Sequence, residues 1–117
     1  MRFQLQIAST MSFAITVVFP THADSNYNID YYVSHHMPLI ERHWKKFGLK
    51  SWSVTKFAPG LDGNPPLYAF GSVVSWENEE GMKEAFGSPE AAEIMGDVPN
   101  FSNVQPIFLL GQILKAT

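Results

Sequence analysis

Tyr31-Tyr32-Val33-Ser34-His35-His36-Met37-Pro38-Leu39 places a proline and two adjacent histidines inside a segment with helical spacing. Whether this stretch is a helix or a loop decides the fold. From Asn28 to Phe47, Ile29, Val33, His36/Met37, Ile40, Trp44 and Phe47 recur at steps of three and four, the period of one helical face. Asn28 suits the N-cap, and Asp30 suits the positive end of the helix dipole. Lys45 and Lys46 suit the negative end, and Gly48 suits the residue just past the helix. The segment therefore reads as a helix. Pro38 costs it ~3 kcal/mol or more, because the ring removes one amide donor and crowds the preceding turn. The helix is predicted to kink near His35 and His36 and to leave carbonyls free one turn earlier.

Outward from this helix the chain reads as strands and short helices. Phe13 to Phe19 is β-branched and aromatic and stops at Pro20, so it is predicted as the first strand. Leu49 to Phe57 alternates Trp52 and Val54 with Ser51, Ser53 and Thr55, giving strand two, and APGLDGNPP turns the chain. Leu67 to Trp76 is strand three, where Gly71 predicts a bulge or a close approach by another group. Glu77 to Phe86 is a short helix. Ser88 as N-cap with Pro89 behind it starts another that runs to about Met95 and ends at Gly96. Val104 to Leu114 closes the order as the last strand, with Pro106 near its start. The result is β-α-β-β-α-β with a broken second helix: an α+β, ferredoxin-like βαββαβ arrangement.

The 117 residues suit one domain, taken as residues 11–117. Residues 1–10 are an N-terminal extension, either disordered or an extra strand, because Met11 sits just ahead of the first strand. Met1 to Ser25 also loosely mimics a signal peptide, with one Arg, a short apolar run and Thr21-His22-Ala23. The competing reading keeps that apolar run as a strand. Charged residues are only 16% and the net charge is −3, with no basic stripe for nucleic acid. The apolar runs are too short to span a bilayer, so no membrane partner is expected. With no cysteine, disulfides and thiolate metal sites are excluded and a cytoplasmic location is expected. No phosphate-binding glycine fingerprint is present, and no cofactor is expected.

Three of the strands are largely apolar on both faces. Phe13, Ile15, Val17 and Phe19 oppose Ala14, Thr16 and Val18; Tyr68, Phe70, Val74 and Trp76 oppose Leu67, Ala69 and Val73; Phe108, Leu110 and Leu114 oppose Ile107, Leu109 and Ile113. Helices cover one face only in this topology, and a face meant for water should alternate with polar residues. Each large apolar side chain left in water forgoes roughly 1.5–3 kcal/mol. A twofold homodimer with facing sheets, a dimeric α+β barrel, is the predicted solution.

Two motifs carry a family resemblance. Asp30-Tyr31-Tyr32-x-x-x-His36-Met37-Pro38-Leu39 with Trp44 and Gly48-Leu49, and Asp97-Val98-Pro99-Asn100-Phe101-Ser102-x-x-x-Pro106, together resemble the EthD family over about residues 11–113. The resemblance implies a ferredoxin-like dimeric α+β barrel. It also implies either of two roles. One is cofactor-independent acid/base chemistry of decarboxylase, dehydratase, cyclase or isomerase type on a small hydrophobic aromatic or polyketide-like metabolite. The other is a non-catalytic binding or accessory protein in an ether-degradation pathway that uses a cytochrome P450. An oxidoreductase label attaches to the family, but this sequence shows no redox centre.

His36 matches the motif histidine and should face the sheet at the bottom of an apolar pocket. Its free pKa near 6.5, lowered by burial, suits proton transfer at neutral pH. The bland reading is a core histidine bonded to a carbonyl that Pro38 frees. Tyr32 is placed to stack on His36 or to hold a ligand oxygen, and Asn100 is assigned the same oxygen-positioning role. These three are the catalytic candidates. Tyr31, His35, Met37, Ile40, Trp44, Phe70, Asp97, Phe101 and Phe108 are the candidate substrate contacts. His35 lies about 100° from His36 on a helix and belongs at the edge. Turn capping competes for Asp97 and Asn100. His36 and His43 are seven residues apart, not the three or four that share a helix face, and no carboxylate is placed to complete a triad with them, so no metal is expected.

Overall fold

The computed structural model describes residues 11–117; the expectation for residues 1–10 lies outside the described residues. Four strands, β1 (Phe13–Pro20), β2 (Leu49–Lys56), β3 (Tyr68–Trp76) and β4 (Ile107–Gln112), form one sheet in the order β2-β3-β1-β4. Every neighbouring pair is antiparallel. Helices α1 (Ile29–Tyr31) and α2 (Met37–Trp44) connect β1 to β2, and α3 (Glu79–Phe86) and α4 (Glu90–Gly96) connect β3 to β4. This is the expected α+β, ferredoxin-like topology. The apolar run weighed as a signal peptide forms the inner strand β1, paired on both sides.

One sheet face carries the core. Phe13, Ile15, Val17 and Phe19 of β1 and Phe70, Ser72, Val74 and Trp76 of β3 are buried there beneath the helices. Phe19 and Phe70 stack with ring centroids 4.4 Å apart and planes 4° from parallel. Gly71 is there because β1 approaches closely: a Cβ would lie 2.4 Å from the Val17 carbonyl oxygen. Gly48 ends the first helical segment at φ 100°, the left-handed region that glycine tolerates best.

Between α1 and α2 lies the segment that decided the fold. Tyr32–His36 is a π turn in which the Met37 N–H bonds the Tyr32 carbonyl, one residue further back than in an α-helix. Pro38 has no N–H to continue an α ladder, and the widened turn relieves the crowding of its ring. The predicted interruption is therefore present as a bulge. The extra residue rotates the face: Tyr32, His36 and Met37 are buried, while Val33, expected on the sheet side, is 41% exposed. Asn28 caps as expected, its side chain accepting from the Tyr31 N–H.

Two boundaries differ from expectation. The Ser88 hydroxyl does not cap α4; it donates to the Ala85 carbonyl and closes the end of α3. The last strand spans Ile107–Gln112, shorter than Val104–Leu114 and starting just past Pro106, which has no N–H for a ladder. All six β4 residues are exposed. The uncovered face of the sheet is apolar only in part, as the alternation of β2 predicts. Ser51, Ser53 and Thr55 of β2 line it on one side, and its apolar part is concentrated in Val73, Ile107 and Leu109.

Candidate functional site

The π turn and the last loop meet at a carboxylate. Asp97 follows α4, and the 3-10 turn Val98–Asn100 behind it folds its side chain toward the first helical segment. Its Oδ2 lies 2.9 Å from His36 Nδ1. Its Oδ1 accepts from the Tyr31 hydroxyl at 2.6 Å and from Asn100 Nδ2 at 2.9 Å. These three side chains take the Asp97 carboxylate, so it does not cap its own turn. Burial works to raise the Asp97 pKa, but the hydrogen bonds from Tyr31, Asn100 and His36 overcome it and hold the carboxyl below its ordinary value. An ionised Asp97 only accepts. His36 Nδ1 therefore carries the ring proton, and the lone pair sits on Nε2.

Burial pulls the His36 imidazole below its ordinary value near 6.5; the Asp97 hydrogen bond and charge act the other way without cancelling it, and His35 adds to the lowering. At neutral pH His36 is an uncharged base. Tyr32 stacks on it at 5.4 Å between centroids, and Phe101 lies 4.5 Å away on another side. The Tyr32 hydroxyl lies 2.7 Å from Ser72 Oγ. Burial pushes the Tyr32 phenol up to about 12, with Ser72 pulling slightly down. Tyr32 therefore acts as a donor and stays protonated near neutral pH.

His36 and Tyr32 line a cavity of about 60 Å³ between the helices and the sheet, together with Met37, Ile40, Trp44, Phe101 and Phe108 among the expected contacts. Tyr31, His35, Asp97 and Asn100, also expected to touch ligand, do not line it. Tyr31 and Asn100 are spent on Asp97, and exposed His35 packs on Tyr31 at 4.7 Å. Phe70 does not line it either, because it is fully covered beneath Phe19. Ser72 lines the cavity and was missed. Its signal was present: it is the one polar residue on the face Phe70-Ser72-Val74-Trp76. The His36–Asp97 pair left no signal, because its partners are 61 residues apart.

The cavity ends against Phe86, Met95 and Phe108, which also line an open groove of about 430 Å³ running over Leu110 and flanked by Glu79 and Lys83. A cavity of about 150 Å³ is what benzene occupies in an engineered core. The space beside His36 is smaller than that.

Fold and site together define a ferredoxin-like α+β protein with an apolar cavity closed over a histidine–carboxylate pair. The chain shares its family with an uncharacterized bacterial protein and its fold with EthD-like proteins. It is 33% identical over 96 residues to an uncharacterized 11.0 kDa protein from the thcB–thcC intergenic region of Rhodococcus erythropolis, covering 78% of this chain and 84% of that one. Its fold matches an EthD-like protein of Ralstonia eutropha with TM-score 0.83 at 20% identity, covering 92% of this chain and 96% of that one. It also matches an ethyl tert-butyl ether D (EthD) family protein of Bacillus halodurans with TM-score 0.69 at 15% identity, covering 89% and 100%. The fold is shared with a hydroxynitrile lyase of Passiflora edulis (TM-score 0.66, 12% identity, covering 93% and 98%). It is shared too with SnoaB, a cofactor-independent oxygenase of Streptomyces nogalater (TM-score 0.54, 9% identity, covering 92% and 96%). No family model matches the chain.

Proposed function

We propose that this protein is an acid/base enzyme that moves a proton on a small, neutral, largely apolar carbonyl compound, working as a homodimer. The observation that carries the reading is the buried His36–Asp97 pair with Nε2 left free at a dry cavity. A neutral imidazole beside an ionised carboxylate is a competent base, because the imidazolium it becomes is stabilised where it forms.

The step is a proton abstraction next to a carbonyl. The Nε2 lone pair takes the proton from the adjacent carbon, the C–H pair becomes a C=C bond, and the carbonyl π pair moves onto oxygen. When Ser72 donates to the Tyr32 oxygen, the Tyr32 O–H is free to donate to that developing enolate. Returning the proton elsewhere gives isomerisation; expelling a β-substituent gives elimination. The enzymes that share the fold support a catalytic use of this scaffold. The open sheet face, with Val73 and Ile107 each 40% exposed and Leu109 57% exposed, supports the dimer.

Cyclohexanone in D₂O at pH 7, with deuterium uptake at its α-carbons followed by NMR, tests the chemistry without the natural substrate. The wild type should accelerate exchange, His36→Gln should lose ~10²–10⁴-fold of the acceleration, and Asp97→Asn should lose at least about tenfold by misplacing the ring proton. Exchange that is equal in wild type and a folded His36→Gln variant overturns the reading. An accessory binding protein predicts affinity for the ketone with no exchange at all.

A further inference from the structure

Three tryptophans divide the chain unevenly. Trp52, partly exposed on β2, donates its indole N–H to Glu41 Oε1 at 2.7 Å. Trp44 and Trp76 are 2% and 0% exposed, and neither indole N–H has a hydrogen-bond partner among the described residues. A buried indole N–H usually has an acceptor. Here the better-buried donors are the ones without. Both rings line the cavity that His36 lines, with centroids 5.7 Å apart.

We propose that the Trp44–Trp76 wall is a binding subsite for a neutral oxygen acceptor on the substrate, remote from the reacting carbonyl. Trp44 is eight residues beyond His36 on the first helical segment, about 12 Å at helical rise. Trp76 is four residues beyond Ser72 on β3, about 13 Å at strand rise. Along these two elements the indoles are thus set apart from the polar groups of Tyr32, His36 and Ser72, and all five residues line the cavity. Between them the lining is apolar. Among the described residues, no Lys or Arg lines the cavity. A carboxylate would be buried there unpaired, so the acceptor is an uncharged ketone, ether or ester oxygen. The substrate this selects carries a second, uncharged oxygen besides its reacting carbonyl.

The inference rests on the cavity being the substrate site, but its test does not need turnover. Indole N–H signals of the three tryptophans, assigned by triple-resonance NMR in the wild type, are followed as acetone or isobutene is titrated in; the two share a skeleton and differ by one oxygen. Acetone should move the Trp44 or Trp76 indole proton downfield and saturably, Trp52 should stay in place, and isobutene should produce no such shift. The proposal is overturned if neither buried indole moves, if both move only in step with Trp52, or if isobutene acts like acetone. The same titration on His36→Gln should give the same indole shift, so failure of the proton-transfer reading and failure of this subsite are separately visible.

Discussion

At His36 the proposed chemistry comes down to which ring nitrogen holds the proton. Asp97 settles it through Nδ1, and Tyr31 and Asn100 settle Asp97. The linkage has a definite sign. The folded His36 pKa is lowered, so between that value and about 6.5 the unfolded chain binds more protons and stability rises with pH. This contribution is fully present above about 6.5 and is lost as pH falls toward the folded value. Asp97, also lowered, adds stability above its ordinary range that is lost only at still lower pH. The melting temperature should therefore fall as pH is taken from 7 to 5, with a His36 share of at most about 1.4 kcal/mol per pH unit. His36→Gln should flatten that window; a variant curve parallel to wild type contradicts it. His36 and Tyr32 were legible in the sequence from their spacing. Asp97 was legible as a motif residue but not as the histidine's partner, because nothing local links two side chains that meet only when α4 folds back over the first helical segment.

The elements were legible where period and punctuation agree, as in β1, β3 and the Asn28 cap. They were less legible where a side chain had two uses. Ser88 sits between two helices and serves the end of the first. Val33 fits a straight-helix face but lies outside a π turn. That turn follows from Pro38, and it sets the direction of His36. Pro38→Ala restores the missing N–H and should let the segment tighten toward an α-helix, rotating His36 from Asp97. Ketone exchange should then fall by about tenfold or more in a protein at least as helical by circular dichroism. Unchanged exchange, with the π turn retained in a crystal structure of the variant, would show that packing rather than the proline holds the turn open.

For the molecule as a whole, the pattern of three strands anticipated an apolar sheet surface that the helices do not cover, with β2 presenting serines and a threonine there. What remains is β4, exposed along its length, and the Val73–Leu109 stripe. Sedimentation should show twice the mass of one chain at micromolar concentration, and Leu109→Lys should weaken association at least about tenfold, or ~1.4 kcal/mol; a wild type that sediments as single chains contradicts the dimer. The proposed function, however, depends first on a neutral base held ready in an apolar space. Long-range ¹H–¹⁵N NMR of the imidazoles across pH 4–8 observes that state directly. The His36 ring should be protonated at Nδ1 and bare at Nε2 at pH 7, titrating below 6.5, with the Nδ1 proton lost from this arrangement in Asp97→Asn. A His36 that is doubly protonated at pH 7, or that carries its proton on Nε2, would contradict it.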